Sequence, residues 1–169
     1  MKKPTYYAPR GGHPPQTQLL TDRAIFTDAY AVIPKGTMRD ITTSNLPFWD
    51  KTRAWDLARP LSGFAETFSQ YIVEVGAGGG STKPDTDEDA QSVIFVVEGG
   101  ATLTIDGQSH TLSEGSYAYI PVTSEWAFKN DTGTPCRFHW IRKAYDWVDG
   151  IDAPPAFVTN DADVAPTEM

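Results

Sequence analysis

GSYAYIPVTSEWAFKN, residues 115–130, is the stretch of this chain that decides its fold. Two short, mostly apolar segments, 116–120 and 125–129, are separated by Pro121 and a short polar loop. This pattern indicates two β-strands joined by a turn. Asn130 closes the stretch where the second strand gives way to another polar loop.

The spacing of Gly115, Pro121 and Asn130 matches the second of the two short motifs that mark cupin barrels, G-x5-P-x-G-x2-H-x3-N. Thr123 stands at the second glycine of that motif, and Trp126 stands at its histidine. The stretch therefore resembles a cupin in which a metal-ligating residue has been replaced.

The first cupin motif, G-x5-H-x-H-x3/4-E-x6-G, fits between the Gly78-Gly79-Gly80 run and Gly99. Counting back from Gly99, Ser92 holds the glutamate position, and Asp85 and Asp87 hold the two histidine positions. Each of the four ligand positions thus carries a residue other than the usual one.

Side chains alternate across a strand, so these assignments also predict which ones face the barrel interior. Ser92, Ile94 and Val96 should point inward from one strand, and Trp126 and Phe128 from another. A transition-metal centre requires several imidazole or carboxylate ligands at about 2.0–2.2 Å from the ion. These residues cannot supply that shell, so we expect no metal and no cofactor in this barrel.

Short strands at regular spacing predict an all-β fold, a double-stranded β-helix or jelly-roll barrel of the cupin type. The predicted strands are 29–33, 38–43, 68–75, 92–97, 101–105, 108–112, 116–120, 125–129 and 136–142. The ambiguous segment 49–63 stays open as strand or loop. We divide the chain into an extended N-terminal arm (1–23), a barrel (24–145) and an irregular tail or linker (146–169).

Other reactive residues favour structural roles. The acidic run from Asp85 to Asp89 has oxygen ligands suited to a divalent cation, but a solvated loop is the simpler interpretation. His139 is expected to be packed or at the surface, and His110 at the surface. Cys136 has no adjacent base, which favours a buried thiol over a nucleophile. The run Gly78-Gly79-Gly80 lacks the lysine of a phosphate loop and is interpreted as a turn between strand and loop.

Composition excludes several partners. The chain has 169 residues, enough for one domain, and a net charge of −8, which disfavours nucleic acid and anionic membranes. It has no apolar run of membrane-spanning length. The single cysteine rules out an internal disulfide, and a reducing, cytoplasmic setting is the simplest expectation.

Several longer segments resemble the N-terminal half of the (S)-ureidoglycine aminohydrolases, a family of purine and allantoin breakdown. They are YYAPRGGHPP, LLTDRAIFTDAYAVIPKGTMRDI, SQYIVEVGAGGGS, VIFVVEGGATLTIDG, LSEGSYAYIPV and WIRKAY, which together cover most of the chain. The resemblance implies a bicupin, with two barrels in one polypeptide. It also implies release of ammonia from ureidoglycine to give ureidoglycolate, with manganese held in the C-terminal barrel.

Two hypotheses follow. In the first, this chain is the metal-free N-terminal barrel of such an enzyme, inactive alone, and the small ureide substrate is turned over in a second barrel that the chain lacks. In the second, it is a free-standing metal-free cupin that binds a small ligand among its interior aromatic residues, without catalysis. No catalytic or substrate-binding residue can be assigned on either hypothesis. A homo-oligomer is expected on both, by analogy with the fold.

Overall fold

The structure is a computed structural model that describes residues 25–26, 31–32, 46–58, 67–165 and 167. The predicted arm, 1–23, and the predicted strand 38–43 lie outside these residues. Within the described part of the chain, no helix has the length and apolar character needed to cross a membrane.

Almost all regular structure in the described residues is β-strand, so the all-β prediction is confirmed. The strands are β1 Ile25–Phe26, β2 Ala31–Val32, β3 Asp50–Ala58, β4 Ser69–Ser81, β5 Ala90–Glu98, β6 Ala101–Ile105, β7 Gln108–Leu112, β8 Ser116–Ile120, β9 Trp126–Lys129, β10 Cys136–Ala144 and β11 Phe157–Asn160. A short 3-10 helix, Asp161–Asp163, follows β11.

Nine of these strands form one continuous antiparallel sheet that curls into a nearly closed barrel. Its order is β11-β8-β5-β10-β4-β9-β6-β7, with β3 paired to β4 beside that path. The strands β1 and β2 pair with each other in a separate two-stranded sheet. The Asp106-Gly107 turn joins β6 and β7 with positive φ angles of 49° and 80°, as the hairpin signal in the sequence predicts.

The barrel turns a corner at the glycine run, where β4 passes from one half of the sheet to the other. Residues 69–75 pair with β10 and β3, whereas Gly80 and Ser81 pair with β9. The prediction that the run is a turn out of the strand is therefore wrong, because these glycines lie inside β4. Gly80 has φ of 140°, and a Cβ there would lie 2.1 Å from the carbonyl oxygen of Phe128. Only glycine permits this close crossing of β4 and β9.

Asn130 fixes the same corner from inside the protein. Its side chain is fully buried and donates to the carbonyl oxygens of Val75 and Thr134, both at 2.8 Å. Its Oδ1 accepts from the amide and hydroxyl of Thr132 at 2.9 and 2.6 Å. Its backbone exchanges hydrogen bonds with Gly78 and Gly79. Every polar group of Asn130 is satisfied, as a buried amide requires.

The core lies between the two halves of the barrel and follows the predicted alternation of side chains. Ser92, Ile94 and Val96 of β5 are buried, as is Phe128 of β9, and Trp126 packs against them. The inward-facing predictions are therefore confirmed. The largest fully buried side chains are Phe128, Phe138, Ile94, Leu103, Leu112 and Ile120.

The strands β1 and β11 were not predicted, and the sequence leaves the segment that forms β3 open between strand and loop. The ambiguous segment 49–63 contains β3, which lies beside β4. Within the tail, 146–169, residues Phe157–Asn160 pair with β8 and extend the sheet. The prediction of an irregular tail did not include this strand.

On the outside of the barrel, Glu74 links three strands. Burial alone would raise the pKa of this carboxyl, but hydrogen bonds from Arg53 and Arg137 and their positive charges outweigh that effect. The pKa of Glu74 is consequently held below its usual value. The side chain is ionised at neutral pH and joins β4 to β3 and β10.

We predict that Gly80→Ala lowers the free energy of unfolding by more than about 2 kcal/mol, because the added Cβ strains a positive-φ residue and meets backbone. Gly133→Ala is the control, since a Cβ at Gly133 meets nothing within 4 Å. Urea unfolding of the two variants measures the difference. Equal stability of both would contradict the close crossing at Gly80.

Candidate functional site

The four residues at the cupin ligand positions come together around one strand. Each of Asp85, Asp87, Ser92 and Trp126 lies within contact distance of β10, at Trp140 or Arg142. The spacing in the sequence thus predicted a real convergence of side chains.

Asp85 pairs with Arg142 through both of its carboxylate oxygens. Arg142 Nε donates to Asp85 Oδ2 at 2.5 Å, and a terminal guanidinium nitrogen donates to Oδ1. The side chain of Asp85 is only 9% exposed, so the interpretation as part of a solvated loop is wrong for this residue. Asp87 is more exposed, and its Oδ2 lies 3.8 Å from the same guanidinium.

Ser92 and Trp126 are joined by Trp140. The indole Nε1 of Trp140 donates to Ser92 Oγ at 3.0 Å, and both side chains are buried. The ring of Trp126 meets that of Trp140 edge to face, with centroids 5.7 Å apart. Ser92 therefore serves as a hydrogen-bond acceptor for an indole.

The barrel interior beside these residues is filled by aromatic rings. Trp49 contacts Trp126, Phe128, Phe138 and Trp140, with centroid distances of 5.8–6.4 Å. Its Nε1 donates to the carbonyl oxygen of Pro84 at 2.9 Å, which ties the ring to the start of the acidic loop. The aromatic residues of this region therefore form a packed core, and they do not form the ligand site that the second hypothesis places among them.

The residues present do not fit a bound metal ion. A serine hydroxyl committed to an indole, a tryptophan ring and an aspartate paired with arginine provide no open set of nitrogen or carboxylate ligands. Among the described residues, no group of three or more His, Cys, Asp or Glu side chains could hold a metal.

A cleft of about 500 Å³ lies at the barrel mouth, between the acidic loop and the loop that follows β8. Trp126 forms part of its wall, and Asp87, Glu88 and Glu125 contribute carboxylates. Lys83 is the basic residue among its lining side chains. The cleft is therefore acidic, with one aromatic surface.

The described histidines and the cysteine are not part of this cluster of ligand positions. His139 is half-buried on β10, and burial lowers its pKa, so the ring is neutral at pH 7. Its Nδ1 lies 3.3 Å from the side-chain nitrogen of Gln70. His110, predicted at the surface, is half-buried on β7. Cys136 is fully buried, and burial raises the pKa of its thiol to about 12. His13 lies outside the described residues.

The strand order of the barrel and the glycine-rich crossing of β4 and β9 can be compared with known proteins. The family model described as "Cupin domain" matches residues 71–142. The barrel has the cupin fold. The matched segment contains all four ligand positions and the Trp140–Arg142 part of β10.

Relatives of known name support the resemblance stated above. (S)-Ureidoglycine aminohydrolase of Escherichia coli (strain K12) is 28% identical over 134 residues, which span 78% of this chain and 49% of that protein. A crystal structure titled putative glyoxylate-induced protein, from Pseudomonas aeruginosa, is 59% identical with a TM-score of 0.80, covering 99% of this chain and 60% of that one. Protein Ylba of E. coli shares the fold, at 24% identity and a TM-score of 0.75 over 89% of this chain and 60% of that one.

This cupin domain spans about half the length of the curated relative that it matches. The resemblance to ureidoglycine aminohydrolases is confirmed as a distant relationship.

Sequence reasoning missed two residues of the cluster. Trp49 lies in a segment without clear periodicity, and nothing in its neighbourhood indicates that it enters the barrel. Arg142 carried a usable signal, because it shares its parity on β10 with the buried Phe138 and Trp140. That parity predicts a charged side chain on the inner face, which must find a partner.

We predict that Cys136 does not react with a thiol reagent such as dithionitrobenzoate in the native protein at pH 8, because the buried thiol remains protonated. The absorbance assay should report one thiol per chain only after denaturation. Rapid labelling of the folded protein would contradict an inert structural cysteine.

Proposed function

We propose that this chain is the metal-free, non-catalytic cupin barrel of a ureidoglycine aminohydrolase, whose chemistry takes place in a second barrel. The observation that carries the proposal is the state of three of the four ligand positions, since Asp87 is exposed and lies 3.8 Å from the guanidinium of Arg142. Asp85 is paired with Arg142, Ser92 is bonded to Trp140, and Trp126 is packed in an aromatic cluster. None of these groups is free to bind a metal or to activate water.

The distant relationship supplies the reaction. The curated relative is named (S)-ureidoglycine aminohydrolase, and we infer the same substrate class, a small ureide converted to ureidoglycolate and ammonia. In the second barrel we expect manganese to orient and polarise that substrate. The present barrel would then contribute a rigid surface. The single buried cysteine is compatible with a cytoplasmic enzyme.

A second candidate function is binding of a small ligand without catalysis. The acidic cleft at the barrel mouth favours it, because a volume of about 500 Å³ lies in the range of small-molecule sites. The aromatic packing around Trp49 counts against the interior position that the sequence suggested for such a ligand. We prefer the first proposal, because the relationship to (S)-ureidoglycine aminohydrolase supports it and the interior packing counts against the second.

We predict that the purified chain releases no ammonia from ureidoglycine above the uncatalysed rate, with or without added manganese. The E. coli relative named above is the positive control in the same assay. Turnover by this chain that depends on manganese would refute a non-catalytic role. Ligand binding without turnover, detected by thermal shift, would favour the second candidate.

The outer face of the larger half of the sheet offers a surface for a second copy of the chain. The register aligns two rows of outward side chains across the strands. The rows are Phe157–Tyr119–Val93–Ile141 and Tyr117–Phe95–His139–Ile72–Trp55. A solvated sheet face usually carries polar residues, but these rows are mostly apolar. With neighbouring strands about 4.8 Å apart, the rows span on the order of 300 Å², within the size range of the largest apolar patches on single proteins, which are often functional.

We propose that the isolated chain forms a homodimer in which this face of one copy packs against the same face of the other. The net charge of −8 makes close approach of two copies unfavourable over most of their surface. The two rows carry no acidic side chain, so contact between them avoids that repulsion. Tyr117 and Tyr119 stack on the 48% exposed Phe157 and hold that ring at the rim of the face.

We predict that light scattering coupled to gel filtration gives twice the chain mass of 18.6 kDa. Phe157→Glu should weaken the dimer by at least about tenfold, because it buries a charge in the contact. Ile151→Glu is the control, since Ile151 is equally apolar, 62% exposed and outside the sheet. A monomeric wild type, or equal effects of the two variants, would contradict this interface.

A further inference from the structure

We propose that the guanidinium of Arg142 is a built-in cation that replaces the metal ion at the ligand positions of this cupin domain. In a metal-binding cupin, the ion links the loop and strands that carry the motif residues. Here an arginine side chain makes the corresponding links from within the protein. The proposal concerns this barrel alone and does not depend on any activity of a second one.

The first link joins Arg142 to the acidic loop. Its guanidinium binds both carboxylate oxygens of Asp85 and lies 3.8 Å from Asp87. These are the positions of the two histidines in the first cupin motif. Two-point pairing between a guanidinium and a carboxylate is among the strongest hydrogen-bonded contacts in proteins, and it fixes the geometry as well as the distance.

The second link passes through Trp140, two residues earlier on the same face of β10. Its indole bonds to Ser92 at the glutamate position and packs against Trp126 at the remaining histidine position. The guanidinium of Arg142 lies 5.2 Å from the centroid of the Trp140 ring, a cation–π contact. Arg142 and Trp140 together therefore touch all four positions.

The acidic loop depends on this arrangement for its shape. Asp85 Oδ1, held by Arg142, also accepts the backbone amide of Asp87 at 3.0 Å. Asp87 Oδ1 accepts the amide of Asp89 at 3.2 Å. On the other side, Trp49 holds the carbonyl of Pro84. The loop is thus fixed by a cation at one point and by the interior aromatic cluster at another.

Removing either partner should be costly, because Asp85 is 9% exposed and Arg142 is 22% exposed, so the remaining charge stays poorly solvated. Asp85→Asn and Arg142→Gln should each lower the melting temperature by more than about 5 °C for a protein of this size. The melting temperature of the double variant should not fall below that of the less stable single variant, because both changes remove the same interaction. Asp146→Asn is the control, since its pairing with Lys143 is exposed and its loss should shift melting by less than about 1 °C.

Hydrogen exchange supplies a local readout that general destabilisation would not produce. In Asp85→Asn, which preserves size and the Oδ1 acceptor, protection of the Asp87, Asp89 and Ala90 amides should fall by at least about tenfold. Protection in the β6–β7 hairpin should remain unchanged. If Arg142→Gln does not fold, this measurement on Asp85→Asn carries the test alone. Unchanged loop protection, or additive losses in the double variant, would overturn the proposal.

Discussion

The buried side chain of Asn130 is the constraint on which the barrel depends. It joins the end of β9 to the carbonyl of Val75 on β4, at the point where β4 crosses from one half of the sheet to the other. Because Gly80 allows backbone to approach backbone at this crossing, the corner is built from main-chain contacts and one amide. None of the four ligand positions takes part in these contacts. The features that shape this cupin domain are therefore separate from the positions that bind metal in other cupins.

That separation explains how the ligand positions could change without loss of the fold. Ser92 and Trp126 are part of an aromatic core around Trp140, and Asp85 is paired with Arg142. The hydrogen bonds of Ser92 and Asp85 satisfy the buried indole of Trp140 and the partly buried guanidinium of Arg142. Together these contacts stabilise the mouth of the barrel. This is the physical basis for proposing a supporting role for the chain and catalysis in another barrel.

Much of this organisation could be predicted from the sequence, because it rests on local patterns. The continuous apolar run 92–97 indicated β5, the parity of the motif positions indicated the inner faces of β5 and β9, and the Asp106-Gly107 turn indicated the β6–β7 hairpin. The strand β3 could not be assigned, since its alternating signal is weak, and β11 lies in a segment rich in proline and aspartate. The pairing of Asp85 with Arg142 spans 57 positions of sequence. The one signal in the sequence is that Arg142 shares its parity with the buried Phe138 and Trp140 on β10. This parity predicts an inward side chain but does not predict its partner.

The most direct test of this account is the manganese content of the purified chain after incubation with excess manganese and removal of the unbound ion. Because Asp85, Ser92 and Trp126 are committed to contacts within the protein, elemental analysis should find less than about 0.1 manganese ion per chain. One tightly held ion per chain would contradict the account, since it would mean that these positions still form a metal site.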